Sequence, residues 1–94
     1  MTHKPLDLKK IEVLRRQMML TVGNFTELLG VSRATYYNWL KAHEMRHDNH
    51  AKMVATVRTL LAIMVDHNWP TPDVIGMAQR DRFTKLKEIF ATYE

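Results

Sequence analysis

The stretch from Arg33 to Lys41 concentrates side chains whose shape and donors suit the edges of nucleic-acid bases. Arg33, Tyr37 and Lys41 recur at four-residue spacing, and Ala34 and Asn38 form the row beside them. In a helix, residues three and four apart are surface neighbours, so the two rows make one face. A guanidinium can donate two hydrogen bonds to a guanine, an Asn amide can pair bidentately with an adenine, and a small Ala can touch a thymine methyl. Each good bidentate pair is worth about 1–3 kcal/mol of discrimination between bases. The face carries no carboxylate. Its plain alternative is a solvated helix surface.

Such a face is useful only on a helix anchored from behind. Tyr36, Trp39 and Leu40 supply the apolar side of a helix expected over 33–44, with Ser32 as its N-cap. Ahead of it, Thr21 is placed to cap a helix over 22–29 with Phe25, Leu28 and Leu29 inward, and Gly30 ends that helix because glycine takes the left-handed cap freely. A first helix is expected over 6–20, entered through Pro5, with Leu8, Ile11, Leu14 and Met18 as its inward stripe. Residues 45–51 read as a polar loop, with Asp48 or Asn49 capping a helix over 50–68. Met53, Val57, Leu60, Leu61 and Met64, with Val54 and Val65 beside them, make that helix the expected spine of the core. Trp69-Pro70-Thr71-Pro72 breaks it, since a residue before proline is driven out of the helical region. A short turn over 72–77, begun by Thr71, and a last helix over 80–93 complete the chain. The expected fold is an all-α, five-helix-type bundle forming one domain, with 1–68 as its core and 69–94 as a C-terminal extension.

The segment from Leu20 to Leu40, LTVGNFTELLGVSRATYYNWL, resembles the helix-turn-helix of the lambda-repressor and Cro-like family. The resemblance is carried by Leu20 and Thr21 at the start, Phe25, then Leu28, Leu29, Gly30, Val31 and Ser32 through the turn, and Tyr36 and Trp39 after it. Two positions depart from the family's pattern. Val22 stands where a polar side chain, often Gln, reaches a phosphate, and Thr26 stands where a small Ala lets the two helices approach. The resemblance implies a small phage or bacterial regulator, a repressor, that reads the major groove with the helix over 33–44. It also implies that the start of the preceding helix, with Thr21 and its free amides, faces a phosphate.

Arg33, Ala34, Tyr37, Asn38 and Lys41 are therefore the candidates for reading bases. Thr21, Ser32, Thr35, Arg46 and Lys52 are the candidates for holding phosphates. One recognition helix reads few base pairs, whereas a two-fold dimer reads two half-sites about 34 Å apart. Trp69, Phe83, Leu86, Phe90 and Tyr93 are the apolar residues available for such a dimer contact, unless the last helix folds back onto the chain's own core. The partners expected are double-stranded DNA and a second copy of the chain. Of the net charge of +4, the whole excess lies in residues 1–47, with eight Lys or Arg against four Asp or Glu, while residues 48–94 hold six of each. That asymmetry agrees with one anion-facing side.

Composition narrows the other classes. The 94 residues contain no Cys, so disulfides and thiolate metal sites are excluded and a reducing cytoplasm fits. No run approaches the roughly 18 apolar residues of a membrane span, and the first residues lack the apolar core of a signal peptide. No phosphate-binding glycine loop, nucleophile elbow or thiol points to catalysis, so no enzyme activity, cofactor or small-molecule substrate is expected. His43, His47 and His50 have spacing that a metal can use, but a polar helix end whose histidines are solvated or touch phosphate accounts for them better, and no metal site is expected. Two other roles remain open from sequence: a protein-interaction module of the antitoxin or phage-adaptor kind, and an architectural DNA-binding factor.

Overall fold

The computed structural model describes residues 7–42 and 47–93, with the backbone alone at residue 47. Their regular structure is entirely helical: α1 Leu8–Gln17, α2 Val22–Leu29, α3 Arg33–Ala42, α4 His47–Asp66, α5 Pro72–Ile75 and α6 Gln79–Ala91. Among the described residues there is no strand, and no helix is long and apolar enough to cross a membrane. The helix beyond the five expected is α5: the short turn expected after Thr71 closes as one turn of helix.

The ends of the elements follow from their capping chemistry. α1 starts at Leu8 because the Asp7 carboxylate accepts from the Lys9 and Lys10 amides at 3.1 and 3.3 Å. The expected start at Leu6, through Pro5, lies outside the described residues. α1 also stops earlier than the expected residue 20. Met19 turns into the left-handed region at φ 60, and the Leu20 and Met19 amides fold back onto the Arg15 and Arg16 carbonyls. Gly30 ends α2 in the same way at φ 75, with Val31 and Gly30 donating to Thr26 and Glu27. The expected loop over 45–51 is corrected at its far end. α4 begins at His47, so Asp48 and Asn49 lie inside its first turn and do not cap it. Neither Gly nor Pro interrupts that stretch, and an acid in the first turn is favourable to the helix dipole. α4 then stops at Asp66, two residues before the expected end, and Asn68 takes the left-handed region at φ 53.

One apolar core joins all six helices. Met18, Phe25, Tyr36, Met53, Leu60, Ile63, Val74 and Leu86 are completely buried within it, and Trp69 and Phe83 belong to the same cluster. The core therefore spans both sides of the expected 68/69 boundary. On α4 the buried line is Met53, Thr56, Leu60 and Ile63. Leu61 and Val65, expected with the spine, are instead 43% and 74% exposed. The apolar arc of α4 is wider than the surface its neighbours cover.

Two polar devices lock this core. Trp69 Nε1 donates to the Met18 carbonyl at 2.9 Å, tying the end of α1 to the break after α4. Arg82 is buried and donates to the Val74, Ile75 and Met77 carbonyls at 2.8, 3.1 and 2.8 Å, and to Gln79 Oε1 at 2.8 Å. Its charge sits against carbonyls at and just beyond the C-terminal end of α5, where a cation is favoured.

Candidate functional site

α2 and α3 are joined by only three residues, Gly30, Val31 and Ser32. The start of α2 is fixed by a reciprocal cap. Asn24 N donates to Thr21 Oγ1 at 3.0 Å, and Thr21 N donates to Asn24 Oδ1 at 3.4 Å. Gln79, from the start of α6, donates to the same Asn24 oxygen at 2.6 Å and to the Met19 carbonyl at 3.1 Å. Thr26 is buried, and its hydroxyl donates to the Gly23 carbonyl at 3.1 Å, so its one side-chain polar atom is satisfied. Val22 and Val31 are half-buried and pack against the core.

α3 is held from behind. Tyr36 is completely buried and Trp39 nearly so. Tyr36 meets Phe25 of α2 edge-on at 5.5 Å and Trp39 at 6.3 Å between ring centres. Such aromatic pairs contribute about 0.5–1.5 kcal/mol beyond their burial. The Tyr36 hydroxyl donates to Glu12 Oε1 of α1 at 2.5 Å. Arg15 grips the same carboxylate with two bonds, Nε to Oε1 at 3.0 Å and Nη2 to Oε2 at 2.7 Å, and extends Nη1 to the Leu20 carbonyl at 2.8 Å. The charges set the protonation states. Arg15, and then Tyr36, hold the Glu12 carboxyl below its ordinary value against the opposing effect of burial. Glu12 raises Arg15. Burial, then the bond to Glu12, pushes the Tyr36 phenol well up. At neutral pH this is a carboxylate shared by a guanidinium and a neutral phenol, joining α1 to α3 across 24 positions of sequence.

With Tyr36 and Trp39 turned inward, the opposite side of α3 is open. Arg33, Ala34, Tyr37, Asn38 and Lys41 are all exposed, and Tyr37 retains 53% of its surface. Among the described residues, no ion pair involves Arg33 or Lys41. Arg33 does not extend along the outer row. A Cβ on Gly23 would lie 3.0 Å from its Nη2 and 3.1 Å from its Nε, so the guanidinium rests across the first turn of α2. The bare backbone at Gly23 makes that placement possible.

The phosphate candidates divide. Thr21 is exposed at the α2 cap; its oxygen accepts from Asn24, which leaves its O–H to donate outward. Ser32 accepts from the Thr35 amide at 3.1 Å, and the two hydroxyls bond each other at 2.8 Å, so both residues already serve the first turn of α3. Lys52 is exposed on α4 but borders a groove with Leu28, Phe90 and Tyr93, away from Arg33 and Thr21. Arg46 lies outside the described residues. The candidate dimer residues divide as well. Trp69, Phe83 and Leu86 are buried in the chain's own core, a correction to their expected availability: α6 folds back against α4, and Trp69 is tied to the end of α1. Phe90 and Tyr93 stay partly exposed, and the Tyr93 hydroxyl donates to Asp66 at 2.7 Å.

Among the described residues, no group of His, Cys, Asp or Glu is placed to hold a metal ion. His43 and the side chain of His47 lie outside them. Sequence reasoning missed Glu12, Arg15 and Gln79 as residues that fix α2 and α3, and Arg82 as the one that fixes α5; the Glu12–Arg15 pair was legible from its three-residue spacing, whereas its link to Tyr36 was not. Compared with known protein families, with curated proteins and with solved structures, the chain has no match.

Proposed function

We propose that this chain is a sequence-specific, double-stranded DNA-binding regulator in which α2, the Gly30–Ser32 link and α3 act as a helix-turn-helix. The observation that carries the reading is the asymmetry of α3. One side is anchored by buried Tyr36 and Trp39, and the other presents Arg33, Ala34, Tyr37, Asn38 and Lys41 to solvent with no carboxylate among them. A major groove accepts one helix, and its base edges match the donors and acceptors on that side.

In this reading Asn38 pairs with an adenine and Ala34 abuts a thymine methyl. Tyr37 and Lys41 border the same edge. Arg33 stands at the joint between α2 and α3, within reach of a phosphate held by Thr21 and the free amides of α2, and it swings outward to read a guanine. Phosphate contacts set register, and base contacts set sequence. The chain binds as two copies on a palindromic site, for which Phe90 and Tyr93 are the C-terminal surface still open to a partner.

Fluorescence anisotropy with a labelled duplex selected for binding tests this. Affinity should fall steeply and log-linearly with salt as phosphate contacts release counterions. Asn38→Ala should lose about 1–3 kcal/mol on the selected duplex and little on a scrambled one. Equal affinity of wild type and variant for both duplexes would remove α3 from the role.

A further inference from the structure

Among the described residues, five large apolar side chains stand well clear of the core: Val13, Tyr37, Leu61, Val65 and Ile75. Three of them, Val13, Leu61 and Val65, fall on one side of the molecule, away from the residues assigned to DNA. Val13 and Leu61 line one shallow groove between α1 and α4, together with Lys10 and Gln17. Val65 continues it one turn beyond Leu61. Lys10, Val13 and Gln17 on α1, and Arg58, Leu61 and Val65 on α4, each follow the i, i+3, i+7 spacing of a single helix face, and all six are exposed. Each row thus begins with a cation and continues with uncharged side chains.

No carboxylate lines this groove. The two nearest along the chain are engaged elsewhere: Glu12 by Arg15 and Tyr36, and Asp66 by Tyr93. The groove is therefore apolar at its centre, with Lys10 the one charge in its lining and Arg58 one turn before Leu61. Its volume of about 260 Å³, open to solvent, lies below the range of an enclosed small-molecule site. A second copy of the groove brings the same cation and no carboxylate from its lining, and like charges across an interface oppose association. Nucleic acid would meet the basic rim but leave three apolar side chains uncovered.

We infer that the α1–α4 face docks an acidic amphipathic helix of another protein. The apolar row of that helix lies in the groove against Val13, Leu61 and Val65, and its carboxylates meet Lys10 and Arg58. This is helix-in-groove recognition with electrostatic selection at the rim. It does not depend on the DNA reading.

The test uses the full chain, isotopically labelled, and a synthetic amphipathic peptide of about 18 residues, or five helical turns, with Leu on one face and Glu on the rest. A matched peptide carrying Lys for every Glu is the control. The Glu peptide should shift the amide signals around Val13, Leu61 and Val65 and bind with a micromolar dissociation constant, and the Lys peptide should bind at least about ten-fold more weakly. The double variant Lys10→Glu, Arg58→Glu alters only exposed positions and should reverse that preference; Leu61→Glu should weaken both peptides. Equal binding of the two peptides, or no shift on α1 and α4 at millimolar Glu peptide, overturns the inference. So does a sedimentation mass of twice the monomer that Leu61→Glu abolishes, since that would give the face to a second copy.

Discussion

Replacing Tyr36 by Phe removes one hydroxyl and leaves the ring packing of α3 in place. The hydroxyl donates to Glu12 at 2.5 Å, and the Glu12 side chain keeps only 19% of its exposure. A hydrogen bond to a charged group contributes about 1.5–3 kcal/mol. Glu12 retains its two bonds from Arg15, so the loss should fall at the lower end, about 1.5 kcal/mol. In urea a small domain loses about 1–3 kcal/mol of stability per molar, which places the midpoint of Tyr36→Phe about 1 M below wild type with the slope unchanged. Unfolding can be followed by the fluorescence of Trp39, which lies edge-on to residue 36.

Acid adds a second readout of the same bond. The folded Glu12 carboxyl is held below its ordinary 4.5, by Arg15 first. The unfolded chain therefore binds the proton more readily. The stabilisation is present above about pH 4.5 and is lost as pH falls through the depressed folded value. The gap between wild type and Tyr36→Phe should narrow in that window. An unchanged midpoint at pH 7, or an equal loss when Tyr36→Phe is made in a Glu12→Gln background, would refute the coupling of α1 to α3.

Gly23→Ala should raise stability by about 0.5 kcal/mol, because Ala is the better helix former. The same change moves the Arg33 guanidinium off the first turn of α2, as the base-reading position requires, so it should not weaken DNA binding; a thermal melt and an anisotropy titration on one sample check both. Gly30→Ala meets no neighbouring atom within 4 Å, so its cost is that of a left-handed Ala alone, about 1 kcal/mol, measurable in urea. Arg82→Met keeps the apolar stem but strips the donors from three carbonyls. It should cost about 3 kcal/mol and lower the melting temperature by roughly 15 °C, with Arg82→Lys intermediate.

What was legible in the sequence was local. The bounds of α2 and the start of α3 follow from Thr21, Gly30 and Ser32, each acting on backbone groups within a few residues. The inward sets at Phe25 and Leu29 and at Tyr36 and Trp39 follow from helical spacing alone, and so does the outward face of α3. The start of α4 was less legible, because polar residues suit a loop and an exposed helical turn equally. The rest depends on partners remote in the chain. Nothing near Arg82 announces that it will cap α5 from inside the core, and nothing near Glu12 announces Tyr36. Trp69, Phe83 and Leu86 look available to a partner until α6 is seen to fold back. Leu61 and Val65 look like core until the width of α4's neighbours is known.

Selection of bound duplexes from a random pool, run in parallel for wild type and Asn38→Ala, addresses the role of α3 most directly. The account predicts that wild type enriches a two-fold symmetric site and that the variant enriches the same site with one adenine position relaxed in each half. A pool from wild type no different from the unselected duplexes at low salt, or identical sites from both proteins, would contradict it.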